Sequence, residues 1–434
     1  MLYYSTNHNA QQVTFKEALF KGLPEDNGLY FPTSVPSTSD AFLRNIERLS
    51  FQEICLEISE SWLEDDIDSQ ILNEIVYEAI DFDAPVVNVE DNIYALELFH
   101  GHTHAFKDFG ARFMARVMAH FVKEEKKSIK ILVATSGDTG SAVAHGFHNI
   151  EDIEVIILYP SNKVSELQEK QLTTLDGNVI ALEVDGTFDD CQTLVKQAFL
   201  DPDLNDNITL SSANSINIAR LIPQSFYYFY AYKQLAAKGK PIVFSVPSGN
   251  FGNLTGGLLA KRMGLPVERF VAATNSNNIV PKYLETGKFE PKTSIQTISN
   301  AMDVGNPSNW PRILELYGNN YDKIRADIKG WAYSDPMTKK VISQVYKNTG
   351  YILDPHSAIG YRGLYDTIIS KDVDVNGIFL ATAHPAKFLD VVGKIIPEEI
   401  PIPHNLKTVL EKKKNAIPMP ADYAEFRNFL SKRK

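Results

Sequence analysis

The chain has 434 residues, of which 44% are hydrophobic and 11% aromatic, a composition typical of a soluble globular protein with two or three subdomains. Its net charge of -11, without a long basic run, argues against nucleic acid or an anionic membrane surface as a partner. No apolar run is long enough to cross a bilayer and the N-terminus does not resemble a secretory signal, so we expect a cytoplasmic protein. Cys55 and Cys191 lack metal or redox spacing and are predicted to be free buried thiols.

Residues 1–90 are predicted to form an N-terminal lobe that is mostly helical. A short helix is expected near Val13, and apolar residues recur at helical spacing over 42–63 and 67–80. This lobe is interpreted mainly as packing.

Lys107 follows a predicted strand and opens a predicted helix. The apolar run from Tyr94 to Phe99 predicts the strand, and from Ala105 onward apolar and aromatic residues recur at helical spacing. The positive end of the helix dipole and the aromatic neighbours lower the pKa of a lysine in the first turn and favour its nucleophilic neutral form. The alternative is a lysine that extends its ammonium into water, and the local residues alone do not exclude it.

Two runs of alternating strands and helices predict parallel sheets with helices on their faces. The first run, 128–210, predicts a small α/β domain. The second run, 211–396, predicts a larger α/β domain together with residues 91–127. Residues 397–434 are predicted to form a C-terminal extension that wraps the surface and ends in a helix. The predicted strands are 129–134, 154–159, 179–184, 242–246, 270–274 and 377–381.

The segment Gly249-Asn250-Phe251-Gly252-Asn253 lies between a predicted strand and a predicted helix. Two glycines allow several backbone N–H groups to converge, and the helix start adds positive potential, so this loop can bind a phosphate. It is neither a dinucleotide fingerprint nor a P-loop. A tight turn without a ligand is the common alternative.

Two further segments carry candidate anion ligands. The turn that contains Thr135, Ser136, Asp138 and Thr139 offers hydroxyl and N–H groups at a helix start, which suits a carboxylate, although Asp138 can also be a helix N-cap. The second segment offers amides, a hydroxyl and a guanidinium within two helical turns, which suits a phosphate. Its residues are Asn214, Ser215, Asn217 and Arg220. Taken alone, Arg220 is more often a solvated surface residue.

His100, His102 and His104 would share one face of a strand and could then bind a metal. The intervening Gly101 favours a loop instead, and no cysteine or carboxylate spacing completes a site, so no metal is predicted. Thr382 stands at the carboxyl end of a predicted strand, where α/β folds place ligand contacts.

Four motifs in order resemble those of threonine synthases, which are pyridoxal-phosphate enzymes of the tryptophan-synthase-β fold type. They are F-H-G-x-T-x-A-F-K-D-F-G-x-R-F around Lys107, T-S-G-D-T-G, S-G-N-F-G-N and T-A-H-P-A-K. Each is weakly to moderately specific, and the ordered set is highly specific. The family often has proline at His102 and an apolar residue at His104, so the function of these two histidines stays open.

The resemblance implies an α/β fold with two parallel-sheet domains and the cofactor between them. It also implies conversion of O-phospho-L-homoserine and water to L-threonine and phosphate by β,γ-elimination and replacement. Lys107 would hold pyridoxal phosphate as an aldimine and act as the general base. Thr382 would bond the pyridine nitrogen of the cofactor. The implied ligands of the cofactor phosphate are Gly249, Asn250, Phe251, Gly252 and Asn253.

The same resemblance implies two substrate-binding groups. Thr135, Ser136, Asp138 and Thr139 would hold the substrate carboxylate. The implied ligands of the substrate phosphate are Asn214, Ser215, Asn217 and Arg220. Many fold relatives have asparagine at Asp138, near the phenolic oxygen of the cofactor, and two anions there would repel, so one of them should carry a proton.

Three alternatives stay open. A serine/threonine dehydratase of the same fold would act on substrates without phosphate, so Asn214 and Arg220 discriminate against it. An inactive cofactor-binding homologue would be expected to lack the lysine or the intact loop. The third is a phosphate-binding protein without the cofactor. The sequence leaves the oligomeric state at monomer or homodimer.

Overall fold

The structure is a computed structural model that describes residues 1–369 and 374–433. Residues 370–373 of the predicted large domain and Lys434 of the predicted C-terminal extension lie outside the described residues. The strands are β1 (Leu2–Ser5), β2 (Val13–Thr14), β3 (Tyr30–Pro32), β4 (Val86–Glu90), β5 (Ile93–Glu97), β6 (Ile129–Ala134), β7 (Ile153–Pro160), β8 (Val179–Asp185), β9 (Leu210–Ser212), β10 (Ile242–Pro247), β11 (Arg269–Thr274), β12 (Ile328–Ala332), β13 (Asn376–Ala381) and β14 (Ile417–Pro420).

Helices cover both faces of the two larger sheets and build most of the N-terminal lobe. They are α1 (Phe15–Lys21), α2 (Asp40–Asn45), α3 (Phe51–Leu63), α4 (Ser69–Ala79), α5 (Lys107–Glu125), α6 (Asp138–Phe147), α7 (Glu166–Thr173), α8 (Phe188–Leu200), α9 (Pro202–Asn205), α10 (Ile218–Leu221), α11 (Phe226–Leu235), α12 (Gly252–Arg262), α13 (Ile279–Thr286), α14 (Trp310–Leu316), α15 (Tyr321–Asp327), α16 (Asp335–Thr349), α17 (Pro355–Ile369), α18 (Leu389–Val392), α19 (His404–Glu411) and α20 (Tyr423–Ser431).

The N-terminal lobe contains the predicted helices and also a small antiparallel sheet, β2-β1-β3, which was not predicted. These strands are too short for an alternating pattern to stand out. The predicted helical run 42–63 is divided, because Ser50 caps α3 and its hydroxyl accepts a hydrogen bond from the N–H of Glu53.

The two larger sheets confirm the predicted α/β class with parallel strands. One sheet has the order β12-β11-β10-β13-β5-β4 and is parallel except for β4, which runs antiparallel to β5. The other, β14-β8-β7-β6-β9, is parallel throughout. Its edge strand β14 comes from the predicted C-terminal extension. The predicted domain limits themselves stay a prediction.

Helix α5 packs mainly against α4, α6 and α10. Its buried residues Phe109, Phe113 and Met114 belong to one apolar cluster that also contains Ile131 of β6 and Phe244 of β10. Since α5 begins at Lys107, this packing fixes the position of the lysine. Both cysteines are free and buried, as predicted. Among the described helices, none has the length and apolar character needed to cross a bilayer.

Arg312 fastens the N-terminal lobe to the large sheet. Its guanidinium is fully buried on α14, and it donates hydrogen bonds to the carbonyl of Tyr30 (2.9 and 3.1 Å), the carbonyl of Ile216 (2.6 Å) and Oδ1 of Asn309 (2.8 Å). Burial lowers the pKa of Arg312 to about 9. Among the described residues, no carboxylate lies within ion-pair distance of Arg312. Its positive charge is therefore stabilised by the dipoles of the carbonyl groups that accept its hydrogen bonds.

We expect Arg312→Met to lower the free energy of unfolding by about 3 kcal/mol, because two buried carbonyls then lose a charged donor. Urea denaturation followed by tryptophan fluorescence measures the change. Arg48→Met, at an exposed position of the same lobe, is the control and should leave the midpoint unchanged. An equal midpoint for both variants would contradict this function of Arg312.

Candidate active site

Most predicted site residues line one cavity between the two larger sheets. Seven stretches of chain build it: the start of α5, the start of α6, the segment around α10, the loop before α12, residues 301–302, the start of α17 and the segment after β13. The lining residues are Phe106, Lys107, Gly110, Asp138, Thr139, Ser215, Arg220, Gln224, Pro247, Gly249, Asn250, Phe251, Gly252, Asn253, Ala301, Met302, His356, Thr382 and Ala383. Thr135, Ser136, Asn214 and Asn217 flank this cavity without lining it.

The chain before Lys107 is hydrogen-bonded to the segment that follows β13. The N–H of Phe106 donates to the carbonyl of Thr382 at 2.9 Å, and Ala105 forms a β-bridge with Ala383. Lys107 is therefore held beside Thr382 by backbone bonds, although the two residues are far apart in sequence.

A buried carboxylate shapes the turn that leads into α5. Asp108 accepts hydrogen bonds from the N–H and the hydroxyl of Thr103, at 2.8 and 2.7 Å. A Cβ atom at Gly101 would lie 2.5 Å from Oδ2 of Asp108, so only glycine fits there. Asp108 thus organises the turn from inside the protein.

Lys107 has the electrostatic character that its position predicts. Burial lowers its pKa to about 8; Arg220 and Lys387 act in the same direction, and Asp138 acts in the opposite direction. No hydrogen-bond or ion-pair partner of the ammonium is found within residues 1–369 and 374–433. The lowered pKa enlarges the neutral fraction of the amine near neutral pH, and the neutral amine is the form that acts as a nucleophile or a base.

The loop 249–253 presents a row of free N–H groups. The N–H groups of these five residues donate to no acceptor in the described protein, and the loop leads directly into the N-terminus of α12. Phe251 adopts a left-handed conformation, with φ of 60°. The side chain of Asn253 is bonded to Ser248 and to the carbonyl of Pro247, so it holds the loop closed. The geometry is that of a phosphate-binding nest.

Gly249 is required by a close approach of another segment. A Cβ atom there would lie 2.8 Å from Cα of Met302. Asn250 joins the same region, since its Oδ1 accepts hydrogen bonds from the N–H and hydroxyl of Ser308 at 3.2 and 3.0 Å. The polar 300–309 segment therefore covers the loop.

The turn before α6 leaves some N–H groups free and uses others internally. Oγ1 of Thr135 accepts from the N–H groups of Gly137 and Gly140, at 3.0 and 2.9 Å. Within the described structure, the N–H groups of Ser136, Asp138 and Thr139 have no acceptor. Thr135 thus shapes the turn, and the N–H groups of Ser136, Asp138 and Thr139 are available to an anion.

Asp138 is not the helix N-cap that the sequence allowed. Gly137 takes the cap position, and the Asp138 carboxylate bonds through Oδ1 to Nζ of Lys387 at 2.8 Å and to Nε2 of Gln168 at 3.0 Å. Burial alone would raise the pKa of Asp138, but the ammonium groups of Lys387 and Lys107 hold it well below its ordinary value. In the cofactor-free protein these two ammonium groups therefore favour the ionised form of Asp138.

Arg220 is a buried cation without a matching anion. Its guanidinium is 3% exposed, one Nη donates to the carbonyl of Ala213, and Nε has no partner in the described part of the chain. Burial lowers the pKa of Arg220 to about 10. The solvated surface position that its sequence also allowed is not observed. A buried guanidinium of this kind is an anion-binding group.

The two asparagines of the same segment differ in their contacts. Oδ1 of Asn214 is buried and has no partner in the described structure. Asn217 caps α10 through Oδ1, and its Nδ2 donates to the carbonyls of Leu19 and Ser212. Oδ1 of Asn214 is therefore available to a ligand, whereas the side-chain hydrogen bonds of Asn217 fix the conformation of the segment.

The three histidines near Lys107 contact three separate groups. His100 bonds to Glu97 at 2.8 Å, His102 to Asp81 at 3.0 Å, and His104 to Oδ1 of Asn405 at 2.6 Å. A search of the described residues finds no group of three or more metal-ligating side chains.

Sequence reasoning missed four buried polar side chains of this region: Gln168, Gln224, His356 and Lys387. Nδ1 of His356 lies 2.6 Å from Asp354, and its Nε2 accepts from the N–H of Ala301. For Lys387 a signal existed, because it closes the T-A-H-P-A-K motif that begins at Thr382. The glutamines come from helices whose sequence shows no ligand pattern.

Three family models match the chain. One described as pyridoxal-phosphate dependent enzyme matches residues 82–376. Those described as threonine synthase N terminus and threonine synthase, C-terminal, match residues 2–80 and 357–430.

Individual proteins agree with these matches. The chain is 46% identical over 435 residues to a threonine synthase of Haemophilus influenzae, covering 99% of each. It resembles the crystal structure of Escherichia coli threonine synthase with a TM-score of 0.92, 44% identity and full coverage of both chains. The pyridoxal-phosphate-bound threonine synthase of Brucella melitensis gives a TM-score of 0.93 at 34% identity, over 99% of this chain and 98% of that one.

We expect the reactivity of the Lys107 amine to rise with pH and to level off above about pH 9, since only the neutral amine reacts and its pKa is about 8. Reductive methylation of cofactor-free protein, followed by peptide mapping, measures the rate at this residue. Lys107→Ala assigns the signal. Reactivity that still climbs steeply at pH 10 would contradict the lowered pKa.

Proposed function

The chain belongs to the threonine synthase family of pyridoxal-phosphate-dependent enzymes, and on this basis we propose a function for each of its active-site side chains. It converts O-phospho-L-homoserine and water to L-threonine and phosphate, with pyridoxal phosphate as cofactor. In this reaction the phosphate leaves Cγ, the hydroxyl of water is added at Cβ, and Cγ becomes the methyl group.

Three groups of this chain fit the cofactor. Lys107 would supply the amine that holds it, the N–H groups of 249–253 would bind its phosphate, and Thr382 would bond its pyridine nitrogen. All three line the same cavity, and the free N–H groups suit a phosphate with no competing protein acceptor. When bound, the cofactor supplies an electron sink for the carbanion that proton loss creates at the substrate Cα.

Lys107 moves the protons. After the substrate amine has replaced it on the cofactor, the freed neutral amine of Lys107 takes the proton from Cα and returns one later in the reaction. The low pKa of Lys107 supports this function, because a base with a pKa near the working pH is both free and strong enough.

The two ends of the substrate bind to different segments. The free N–H groups of Ser136, Asp138 and Thr139 hold the carboxylate at the start of α6, and Thr135 shapes that turn. Arg220 holds the phosphate, assisted by Asn214 and Ser215, while Asn217 holds the segment in shape. The observation that carries this assignment is the buried guanidinium of Arg220, which lines the same cavity as Lys107 and forms no ion pair with the described residues.

We also propose that the enzyme acts in the cytoplasm as a monomer or homodimer, without nucleic acid or a membrane. The net charge of -11 disfavours polyanionic partners. Two free, buried thiols suit a reducing compartment.

Purified protein loaded with pyridoxal phosphate is expected to release threonine and phosphate in equal amounts from O-phosphohomoserine. Lys107→Ala should lower turnover by more than about 100-fold, since the base is lost. Lys123→Ala, an exposed lysine of the same helix, is the matched control and should retain full activity. Turnover by Lys107→Ala at the wild-type rate would refute the assignment of the base.

Arg220→Met should raise KM for O-phosphohomoserine by about 10- to 100-fold, because a charged hydrogen-bond donor to the phosphate is lost. The same variant should weaken inhibition by inorganic phosphate. Gly110→Ala tests the site from a second position, since its Cβ would lie 2.8 Å from the carbonyl oxygen and 3.0 Å from Nε of Arg220.

The control for Arg220 is Arg325→Met, at an exposed position, which should behave like the wild type. If Arg220→Met keeps both KM and the inhibition constant of phosphate, the substrate phosphate binds elsewhere.

A further inference from the structure

Lys387 is a buried lysine at the active site to which the reaction described above gives no function. It is 2% exposed, and its Nζ lies 2.8 Å from Oδ1 of Asp138 and 2.9 Å from the carbonyl of Thr103. Gln168 donates to the same Oδ1 at 3.0 Å. The other carboxylate oxygen, Oδ2, has no protein partner among residues 1–369 and 374–433.

These contacts join the parts of the chain that build the site. Lys387 lies in a 3-10 turn that follows β13 of the larger sheet. Asp138 opens α6 on the five-stranded sheet, and Thr103 belongs to the turn before Lys107. One ammonium group therefore fixes the position of Asp138 relative to both the lysine turn and the larger sheet.

The ion pair between Lys387 and Asp138 also determines which lysine the Asp138 carboxylate binds. The charged groups that face Lys107 are Asp138, Arg220 and Lys387. Asp138 is the one anion among them, so in the absence of Lys387 its carboxylate would attract the ammonium form of Lys107. With Lys387 at 2.8 Å the carboxylate is already paired.

We propose that Lys387 is a positioning residue that neutralises Asp138 from across the site, so that Lys107 stays unpaired and Oδ2 of Asp138 stays available to a ligand. This inference rests on the proposed function, because it takes Lys107 as the residue that holds the cofactor. It makes the Asp138–Lys387 pair one electrostatic unit with no net charge.

A double-mutant cycle in the cofactor-loaded enzyme tests the proposal. The midpoint of the pH titration of the lysine-bound cofactor, followed by its visible absorbance, reports the charge around the Lys107 nitrogen. Lys387→Met leaves an unpaired anion and should raise this midpoint by about one pH unit or more, because an opposite charge favours the protonated form. Asp138→Asn leaves an unpaired cation and should lower it.

The double variant restores the charge balance and should return the midpoint to near the wild-type value. The melting temperatures of the cofactor-free proteins should follow the same pattern, with both single variants below the double variant. Lys394→Met, an exposed lysine soon after Lys387, is the control and should change neither quantity. A purely structural function of Lys387 would lower the melting temperature without opposite shifts of the midpoint.

The proposal is overturned if the single variants keep the wild-type midpoint, or if the double variant shifts as far as either single one. A wild-type enzyme that binds no cofactor through Lys107 would instead refute the proposed function. In that case the melting temperatures still decide the pairing, because a double variant less stable than both single variants rules it out.

Discussion

An excess of buried positive charge is the constraint on which the active site depends. Three cations, Lys107, Arg220 and Lys387, face two carboxylates, Asp138 and Asp108, in one region of a protein whose net charge is -11. Burial penalises each of these cations, and the fold leaves Arg220 without an anionic partner among the described residues. Anionic ligands can restore the balance, and the cofactor and the substrate of this family each carry a phosphate. The site is thus built for ligands with the charge that the rest of the surface repels.

Backbone contacts between distant segments hold these charges in place. Backbone hydrogen bonds of Phe106 and Ala105 join the turn before Lys107 to the segment after β13. That segment contains both Thr382 and Lys387. The apolar cluster that contains the buried residues of α5 also includes residues of both larger sheets, so its packing holds Lys107 in place relative to each sheet. Changes far from the cavity can therefore alter the chemistry by shifting one sheet relative to the other.

Glycines and buried amides give the anion sites their shape. Gly249 allows the 300–309 segment to approach the phosphate loop, and Gly110 leaves room for Arg220. Asn253 and Asn217 use their side chains to hold backbone in position, so that free N–H groups or a neighbouring guanidinium meet the ligand. A sequence motif of this kind thus mixes residues that contact a ligand with residues that only shape its loop.

The sequence by itself determined the α/β class and the order of the strands and helices that carry the motifs, because local periodicity and turn chemistry are encoded within short windows. The cofactor followed from the resemblance of those ordered motifs to a known family. The sequence did not predict the short strands of the N-terminal sheet or the edge strand β14. These strands are stabilised by pairing partners that lie far away in the chain. Only the tertiary structure decided that Asp138 pairs with Lys387 and that Arg220 is buried. Lys387 illustrates why the sequence could not predict these features. Its partner Asp138 lies about 250 positions earlier in the chain, and an ion pair between distant segments leaves no periodic pattern in the sequence.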